Sequence, residues 1–380
     1  MSKQPQQAII EAGGVGYDVV ISVPTFVALP AEGADVALHI HTHIREDALA
    51  LYGFLDRAEK RLFERLITVS GVGPKLVVTI LSGLSTERLV HPEPGSRYSD
   101  SAVSVWSHNK KKAKQLAESW GAAFCDSPAD VARNAHCIFL CVGNTDMTRE
   151  VILGPEGLAK GAKRGTVIAD CSTVSAQQSV RISQELAALG IDFLDAPCTG
   201  SKAGAENGSL TFMVGGKKEV FERVRPYFEA MGKSLYYCGE AGMGLRAKLT
   251  QNLILGNLLQ AFNEGIVLST KSGVDPNLML DILNNSAARS GLVAIKAPAV
   301  FKRDFSTNFS VKWLAKDIGL ALDLGSELGV PLPLTGLTQQ LYHAAIAKGY
   351  GEDDICGSIR VLEEFAGTEV KATENVPVKV

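Results

Sequence analysis

Short apolar segments alternate with amphipathic ones between residues 102 and 196, and this alternation constrains the fold of the chain more than any other feature. The apolar segments predict strands at 102–106, 136–142, 166–170 and 192–196, and the segments between them predict helices at 111–120, 149–159 and 176–189. Strands that alternate with helices in this way build a parallel sheet covered by helices. The sequence therefore predicts a doubly wound α/β domain over residues 102–241.

The pattern changes after this domain. From residue 242 onward it is wholly helical, and residues 253–268 are apolar almost all round, as in a helix buried within other helices. An all-α domain is therefore predicted over 242–368. Residues 369–380 have the composition of a loose tail.

The N-terminal side of the α/β domain is different again. Two prolines and one glycine in residues 91–101 predict a linker. Before the linker, a helix is predicted from about residue 57, and a small β module precedes that helix. Its alternating segments lie at 7–11, 17–23 and 36–44.

Composition excludes several classes of protein. A formal net charge of -3 over 380 residues and a pI near 6.2 argue against a chain that mainly coats nucleic acid. The N-terminus has no basic-then-apolar signal and no uninterrupted run of about 18 apolar residues exists, so no membrane segment and a cytoplasmic location are expected. Seven cysteines without a Cys-x-x-Cys pair indicate a reducing compartment and no structural zinc or other metal. Cys137 and Cys141 are predicted to share one buried strand face as small core residues.

Two segments carry the groups that are suited to binding a substrate and catalysing a reaction. The first is a glycine-dense loop that begins at Asp195 after an apolar strand, so its backbone amides can approach a carboxylate closely. The second opens a helix and places Lys248 and Asn252 four residues apart on one face. Oxidation or reduction of a hydroxy acid needs such groups, with Lys248 exchanging the proton at the substrate oxygen and Asn252 holding that lysine or the substrate. A capped helix start with a solvated lysine is the alternative interpretation.

In their order, these motifs resemble those of the β-hydroxyacid dehydrogenase family over residues 102–368. The family's substrate loop, usually Asp-Ala-Pro-Val-Ser-Gly-Gly, corresponds to Asp195-Ala-Pro-Cys198-Thr199-Gly200-Ser201. The resemblance implies that Cys198, Thr199, Gly200 and Ser201 bind substrate, and the replacement of the usual valine and serine leaves its identity open. It also implies a Rossmann-like fold and hydride transfer between NADP, or NAD, and a small 3-hydroxy acid or semialdehyde.

Other family positions fall on single residues of the second half. The family's catalytic lysine corresponds to Lys248 and its asparagine to Asn252. Lys316, in a late Lys-Asp pair, is implied to close over substrate and cofactor; without the resemblance it would be an ordinary charge on an amphipathic helix. The residues that the resemblance assigns to the cofactor alone are Cys141, Val142, Ser172 and Thr173.

The residues after the strand ending at Trp106 bear on the choice of cofactor. An acidic residue there would bind the ribose hydroxyls of NAD. This chain has Ser107, His108 and Asn109, followed by three lysines, and such groups suit the 2′-phosphate of NADP. A solvated basic helix start is the alternative interpretation.

One element of the family pattern is missing from the sequence. The family begins with a strand and a Gly-x-Gly-x-x-Gly turn, which hold the cofactor pyrophosphate about twenty residues before Trp106. The corresponding stretch contains the linker and an apolar run at 77–81 but no triple-glycine pattern. Because that strand is central in a doubly wound sheet, its loss should leave two neighbouring strands unpaired, unless 77–81 fills its position.

The first 90 residues resemble a different family, the start of RuvA, the Holliday-junction-binding subunit of bacterial branch migration. The run Glu11-Ala-Gly-Gly-Val-Gly-Tyr-Asp-Val matches a strand pair of its OB barrel, and Ser70-Gly71-Val72-Gly73-Pro74-Lys75 matches its first helix-hairpin-helix. The resemblance implies a partial OB barrel over 1–56 and a hairpin over 57–90.

The same resemblance implies contacts with duplex or junction DNA. Gly71, Gly73 and Lys75 would grip one phosphate without reading bases, and Glu46 and Asp47 would form an acidic pin. The apolar run at 77–81 would then belong to the hairpin.

His39, His41 and His43 alternate with apolar residues and therefore share one strand face. A metal site and a solvated barrel face are the two interpretations, and the solvated face is preferred.

Three hypotheses follow for the whole chain. The first is an NADP-dependent oxidoreductase, which the length of the match favours, and which would form homo-oligomers as its family commonly does. The second is a DNA-junction-binding module with a catalytically silent extension. The third is that neither half functions, because each lacks a part of its fold.

Overall fold

The computed structural model describes residues 7–44, 49–67, 73–74, 77–78 and 103–372. Its contacts divide the chain into two compact units, the first within residues 1–172 and 177–244 and the second within 173–176 and 245–380. No described helix is both long enough and apolar enough to span a membrane.

Four N-terminal strands form one mixed sheet. They are β1 (Gln7–Ala12), β2 (Val15–Ile21), β3 (His39–Ile44) and β4 (Leu49–Phe54), in the order β1-β2-β4-β3. The pairs are antiparallel except for β2 and β4, which run parallel. The described strands thus form an open sheet, and barrel closure stays a prediction.

Two helices accompany this sheet, α1 (Val23–Ala28) and α2 (Arg57–Ile67). The sequence predicted α2 but neither α1 nor β4. Ser22 caps α1 by accepting a hydrogen bond from the Thr25 amide at 3.2 Å, the role for which serine is favoured at a helix start.

The three histidines of β3 share one face, as predicted, and His39 is exposed there, but His41 and His43 are not. His41 Nδ1 lies 3.3 Å from Glu64 Oε1 of α2, and its ring centroid lies 5.2 Å from that of Phe63. His43 is half-buried, with its ring centroid 6.5 Å from that of Tyr52. The prediction of a solvated face is therefore wrong for these two residues, because the strand partner of His41 is the buried Tyr52.

Eight short strands and seven helices follow in the described residues from 103 to 239. The strands are β5 (Ser104–Val105), β6 (Ala123–Phe124), β7 (Cys137–Leu140), β8 (Val167–Asp170), β9 (Asp192–Asp195), β10 (Cys198–Thr199), β11 (Leu210–Gly216) and β12 (Gly232–Gly239). The helices are α3 (Lys110–Trp120), α4 (Pro128–Asn134), α5 (Thr145–Leu153), α6 (Leu158–Gly161), α7 (Ala176–Ala188), α8 (Ser201–Glu206) and α9 (Lys218–Met231). The single helix predicted at 149–159 is thus two helices, because α5 ends at Leu153 and Gly154 follows in an extended conformation.

The strands of this part pair in two separate sheets. One has the order β10-β11-β9-β8-β7 with β12 added beside β11, and the other contains only the parallel pair β5-β6. Among the described residues, β7 pairs only with β8 and β5 only with β6. In the doubly wound strand order, the first strand lies between the strands that correspond to β5 and β7. Residues 79–102, which precede β5, lie outside the described residues, so the loss of this strand and the two unpaired edges stay predictions.

Val77 and Val78 belong to the first sheet rather than to this gap. Both are helical, and they pack in one buried cluster with Tyr52, Phe54 and Phe63. The idea that 77–81 supplies the missing strand is therefore wrong for these two residues, and 79–81 lie outside the described residues.

The prediction for Cys137 and Cys141 is also wrong. The strand ends at Leu140, so Cys141 lies beyond it and is exposed, while Cys137 is half-buried. The deeply buried face of β7 carries the alternate residues, Ile138 and Leu140, which pack in the core between the sheet and its helices.

Among its described residues, the second unit contains helices and connecting loops but no β-strand. Its helices are α10 (Met243–Lys271, whose first two residues lie in the first unit), α11 (Pro276–Asn284), α12 (Gly291–Phe301), α13 (Val311–Glu327), α14 (Pro333–Ala347), a 3-10 turn (Ile355–Ser358) and α15 (Ile359–Ala366). The core face of α10 carries Leu259, Phe262 and Ile266.

The burial predicted all round for 253–268 is wrong. One stripe of α10 is open, with Ile254 58%, Leu258 37% and Leu268 72% exposed. An apolar sequence can favour burial on every face, but the other helices of this one chain cover only part of α10.

Candidate active site

Helix α10 places Lys248 and Asn252 on one face, as their spacing predicted. Lys248 is only 6% exposed and Asn252 only 1%. The Lys248 Nζ donates a hydrogen bond to Gln251 Oε1 at 3.2 Å. A lysine so deeply buried is not a solvated surface charge, so that alternative interpretation is excluded, and buried charges require compensation nearby.

Asp317 of α13 supplies that compensation. Its Oδ2 accepts a hydrogen bond from Asn252 Nδ2 at 2.6 Å, and its Oδ1 lies 3.0 Å from Lys316 Nζ. Burial raises the pKa of the Asp317 carboxyl above its ordinary value, while the charges of Lys316 and Lys248 oppose that rise. Lys316 also donates to the backbone carbonyl of Thr173. The structure thus links three predicted residues of this unit around Asp317, and a fourth, Thr173, through Lys316.

This arrangement fixes the orientation of the Asn252 amide. Because an ionised carboxylate only accepts hydrogen bonds, the Asn252 NH₂ must face Asp317, and its Oδ1 remains as an acceptor. An amide oxygen beside a buried ammonium can hold that ammonium or a hydroxyl. The cluster therefore combines a proton donor, an oriented acceptor and a counter-charge.

Sequence reasoning missed the roles of Asp317 and Gln251. Asp317 was visible only as the neighbour of Lys316, and its partner Asn252 is 65 residues away in the chain. Gln251, three residues from Lys248, was indistinguishable from an ordinary helix residue.

The predicted substrate loop lies in the first unit. Cys198 and Thr199 form β10 and pair with Phe212 and Thr211 of β11. Gly200 follows with a φ of 132°, a conformation that favours glycine, and both Gly200 and Ser201 are exposed. The loop therefore presents exposed backbone directly after an ordered strand end.

Two buried aspartates fix the ends of the strands that precede these loops. Asp195, at the end of β9, is fully buried and accepts a hydrogen bond from the Gly242 amide at 2.7 Å. Asp170, at the end of β8, accepts one from the Ser172 amide at 3.0 Å. Burial raises the pKa of Asp170 to about 6, and the hydrogen bonds from Ser172 oppose that rise.

The predicted cofactor residues of the first unit follow the carboxyl ends of parallel strands. The Val142 amide, after β7, donates to Ser172 Oγ, after β8, at 2.8 Å, which ties these two loops together. After β5, Asn109 Oδ1 caps α3 by accepting from the Lys112 amide at 3.0 Å, and the Asn109 amide donates to Ser107 Oγ at 3.2 Å.

His108 and Cys141 complete this set. The His108 ring centroid lies 4.7 Å from that of Trp106, and Cys141 is exposed directly after β7.

A dinucleotide fits these residues only in part. The loops after β5, β7 and β8 offer hydroxyl, amide and imidazole groups to its ends. A pyrophosphate needs a glycine turn at a helix start between β5 and β7, and none occurs there among the described residues. No described residues form a group of three or more side chains suited to a metal ion.

Most of the predicted DNA contacts lie outside the described residues, namely Glu46, Asp47, Gly71 and Lys75. Gly73 is described, and its amide donates to the carbonyl of Glu206 at 2.6 Å. In this structure that amide is engaged within the protein, and phosphate binding by Gly73 stays a prediction.

Three family profiles match the chain. The NAD binding domain of 6-phosphogluconate dehydrogenase matches residues 97–239, and the NAD-binding domain of NADP-dependent 3-hydroxyisobutyrate dehydrogenase matches 242–362. The RuvA N terminal domain matches residues 1–53.

Individual proteins also match the two parts of the chain separately. The 2-(hydroxymethyl)glutarate dehydrogenase of Eubacterium barkeri is 36% identical over 251 residues, which are 66% of this chain and 83% of that protein. The 3-hydroxyisobutyrate dehydrogenase of Mycobacterium tuberculosis, solved with L-serine, is 27% identical with a TM-score of 0.62, over 66% of this chain and 88% of that one. The RuvA subunit of Acidobacterium capsulatum is 77% identical over 90 residues, which are 24% of this chain but only 46% of that protein.

Proposed function

Because this chain belongs to the β-hydroxyacid dehydrogenase family, with the N-terminus of a RuvA fused before it, we propose that it catalyses hydride transfer between NADP and a small 3-hydroxy acid or its semialdehyde. The observation that carries the proposal is the buried cluster of Lys248, Asn252 and Lys316 with Asp317. A lysine shielded from water beside an oriented amide suits proton exchange at a substrate oxygen. NADP, when bound, takes up or gives the hydride.

The residues of this chain divide the remaining work. Lys248 gives a proton to the carbonyl oxygen during reduction and takes it back during oxidation. Asn252, held by Asp317, keeps an acceptor directed at the ammonium or the substrate hydroxyl. The backbone at Thr199 and Gly200 binds the substrate carboxylate, and Cys198 and Ser201 set the space beside it.

The preference for NADP rests on the residues after β5. Ser107, His108 and Asn109 are followed by Lys110, Lys111 and Lys112, with no acidic residue at this strand end. Cations and donors there match the charge of a 2′-phosphate. The Asn109 cap of α3 also fits the alternative interpretation, an ordinary basic helix start.

The test is NADPH oxidation by the full-length chain with a panel of small semialdehydes and 3-oxo acids. Replacing Lys248 by alanine should lower kcat/KM by about 100-fold or more, the usual contribution of a positioned acid, while NADPH affinity stays nearly unchanged. Lys233→Ala, at an exposed position, is the matched control. An equal loss of turnover and cofactor affinity in Lys248→Ala would contradict the role given to this lysine.

A second function is favoured by one observation, the 77% identity of the first 90 residues to RuvA. On this basis residues 1–90 bind duplex or junction DNA. The chain spans less than half of that RuvA, and the Gly73 amide is engaged by Glu206, so few phosphate contacts and weak binding are expected.

Salt dependence tests this second function. The affinity for a fluorescent four-way junction should fall with increasing salt. Lys75→Ala should reduce the slope of log Kd against log salt by about one, the change expected when one phosphate contact is lost. Lys233→Ala should leave the slope unchanged. An unchanged slope in Lys75→Ala would count against the hairpin contact.

A further inference from the structure

Two cysteines of the first unit lie side by side where the neighbouring strands β7 and β8 end. We propose that Cys141 and Cys171 form a reversible disulfide when a peroxide oxidises the chain, so that this pair is a site of redox modification. The formation of the bond is independent of catalysis. Only its relation to the cofactor rests on the proposed function.

Backbone hydrogen bonds fix the two cysteines opposite one another. Leu140 is the last residue of β7 to pair with β8, so Cys141 and Cys171 are the next two residues in register. The Cys171 amide donates to the Leu140 carbonyl at 2.7 Å, and the Val142 amide donates to Ser172 Oγ at 2.8 Å. The two chains are thus held together immediately before and immediately after the cysteine pair.

The two side chains fall on the same face of the sheet. Because side chains alternate along a strand, Cys141 continues the row of Cys137 and Phe139, which pack against the same core cluster as Cys171. Neighbouring strands lie about 4.8 Å apart, within the Cα separation of about 4.4–6.8 Å that disulfides adopt. Cys141 lies past the end of β7, so its backbone can make the small shift that brings the two Cβ atoms to about 3.8 Å.

The two thiols differ in reactivity. Cys141 is exposed and is therefore the thiol that a peroxide reaches, whereas Cys171 is half-buried. Burial raises the pKa of the Cys171 thiol well above its ordinary value, and the neighbouring Cys198 and Cys141 add to the rise. Cys171 is therefore a protonated thiol that lies beside Cys141 and resists direct oxidation.

The reaction needs a peroxide as its oxidant and proceeds in two steps. The Cys141 thiol takes one oxygen atom from hydrogen peroxide and becomes a sulfenic acid, with release of one water. The Cys171 sulfur then attacks the sulfenic sulfur and breaks its S–O bond, and the departing hydroxide takes the Cys171 proton to form a second water. Two thiols thus lose two electrons and one peroxide gains them. Disulfides found in a reducing compartment are usually transient ones of this kind.

Cys198 is the other neighbour of Cys171, but the register places it too far away. The β9 residue beside Cys171 is Ala196, because its amide donates to the Asp170 carbonyl at 2.8 Å. β9 and β10 pair with β11 in one continuous register, so Cys198 lies two residues further along an extended chain. Its Cα is then about 8 Å from that of Cys171, beyond the reach of a disulfide without backbone movement.

The test is treatment of the full-length chain with hydrogen peroxide, followed by denaturation and alkylation of the remaining thiols. The number of alkylated cysteines should fall from seven to five, because one disulfide removes two thiols, and dithiothreitol should restore all seven. Tryptic digestion without reductant should yield one linked pair of peptides, residues 134–149 with residues 165–181.

Serine variants assign the link to single residues. Cys137→Ser is the matched control, since Cys137 lies in the same tryptic peptide as Cys141 but at the start of β7, and it should leave the link intact. Cys141→Ser should abolish the link. In Cys171→Ser the sulfenic acid of Cys141 should persist and react with dimedone.

Three results would overturn the proposal. They are a link from 165–181 to 182–202, which contains Cys198, a link that joins two chains, and the absence of any link after peroxide treatment.

NADP separates this site from the proposed function. Because the family resemblance assigns Cys141 to the cofactor, NADP at about ten times its Kd should slow the formation of the link by about tenfold. A link that forms equally fast with and without NADP would leave the thiol pair intact and would contradict the cofactor contact of Cys141.

Discussion

At the scale of one residue, the sequence predicts the position of Asp170 but not the pKa of its carboxyl. The sequence places it at the end of a strand, before Ser172 and Thr173. Only the fold shows that its carboxyl is fully buried and, like that of Asp195, ends a central strand. Burial raises the pKa of Asp170 to about 6 and the charge of Asp195 adds to the rise, while the hydrogen bonds from Ser172 oppose it.

This raised pKa predicts how stability depends on pH. An aspartate in the unfolded chain ionises near pH 4, so between about pH 4 and 6 the folded chain holds a proton that the unfolded chain has released. The free energy of unfolding should therefore fall as pH rises through this window, by about 3 kcal/mol in total from this group. Urea unfolding of the wild type and Asp170→Asn across the window measures it.

The variant should lose this part of the pH dependence. Asp323→Asn, at an exposed position, should keep it. Identical pH profiles for wild type and Asp170→Asn would show that the Asp170 carboxyl ionises as it does in water.

At the scale of elements, one buried ion pair connects three segments of the helical unit. Lys296 Nζ of α12 lies 2.8 Å from both carboxylate oxygens of Asp354, which precedes the 3-10 turn. Asp354 also accepts from the Asn308 and Phe309 amides, at 3.1 and 3.2 Å, shortly before α13 begins. Burial opposes ionisation of Asp354, but these hydrogen bonds and Lys296 bring its pKa below the ordinary value.

Removing Lys296 leaves a buried carboxylate without its counter-charge. Lys296→Met should lower the free energy of unfolding by about 3–5 kcal/mol, measured by urea unfolding at neutral pH. Lys312→Met, which removes a more exposed lysine paired with Glu352, should lower it by less than about 1 kcal/mol. Equal effects of the two substitutions would contradict the structural role of the buried pair.

The elements also show what the sequence could predict. Strands β7, β8 and β9 and helix α10 were predicted because their apolar spacing is local information. Strand β4 was not predicted; it begins shortly after the predicted pin residues Glu46 and Asp47. Which face of β3 is buried depends on its pairing with β4. The link from Asn252 to Asp317 arises only when α10 and α13 pack, which no local pattern encodes.

At the scale of the whole molecule, the open stripe of α10 supports the expected homo-oligomer. Ile254, Leu258 and Leu268 are more than a third exposed on a helix whose remaining faces form the core, and large exposed apolar surfaces mark interaction sites. Leu258→Asp should reduce the mass measured by light scattering after gel filtration to that of a monomer. Glu264→Gln, exposed on the same helix, should not. A monomeric wild type would contradict this role of the stripe.

The division into a RuvA-like start and a dehydrogenase was predictable because each part carries several collinear motifs. The glycine turn is a sequence pattern, so its absence was equally visible in the sequence. The loss of the strand before it stays a prediction, because residues 79–102 lie outside the described residues. The resemblance to RuvA already assigned Val77 and Val78 to a helical hairpin, and both are helical in the structure. Their packing against Phe54 and Phe63 required the structure.

The most direct test of the oxidoreductase assignment is a titration of the full-length chain with NADPH and with NADH, followed by nicotinamide fluorescence. We expect NADPH to bind more tightly than NADH. If neither dinucleotide binds to the folded chain, the buried lysine cluster has no hydride partner and the assignment is contradicted.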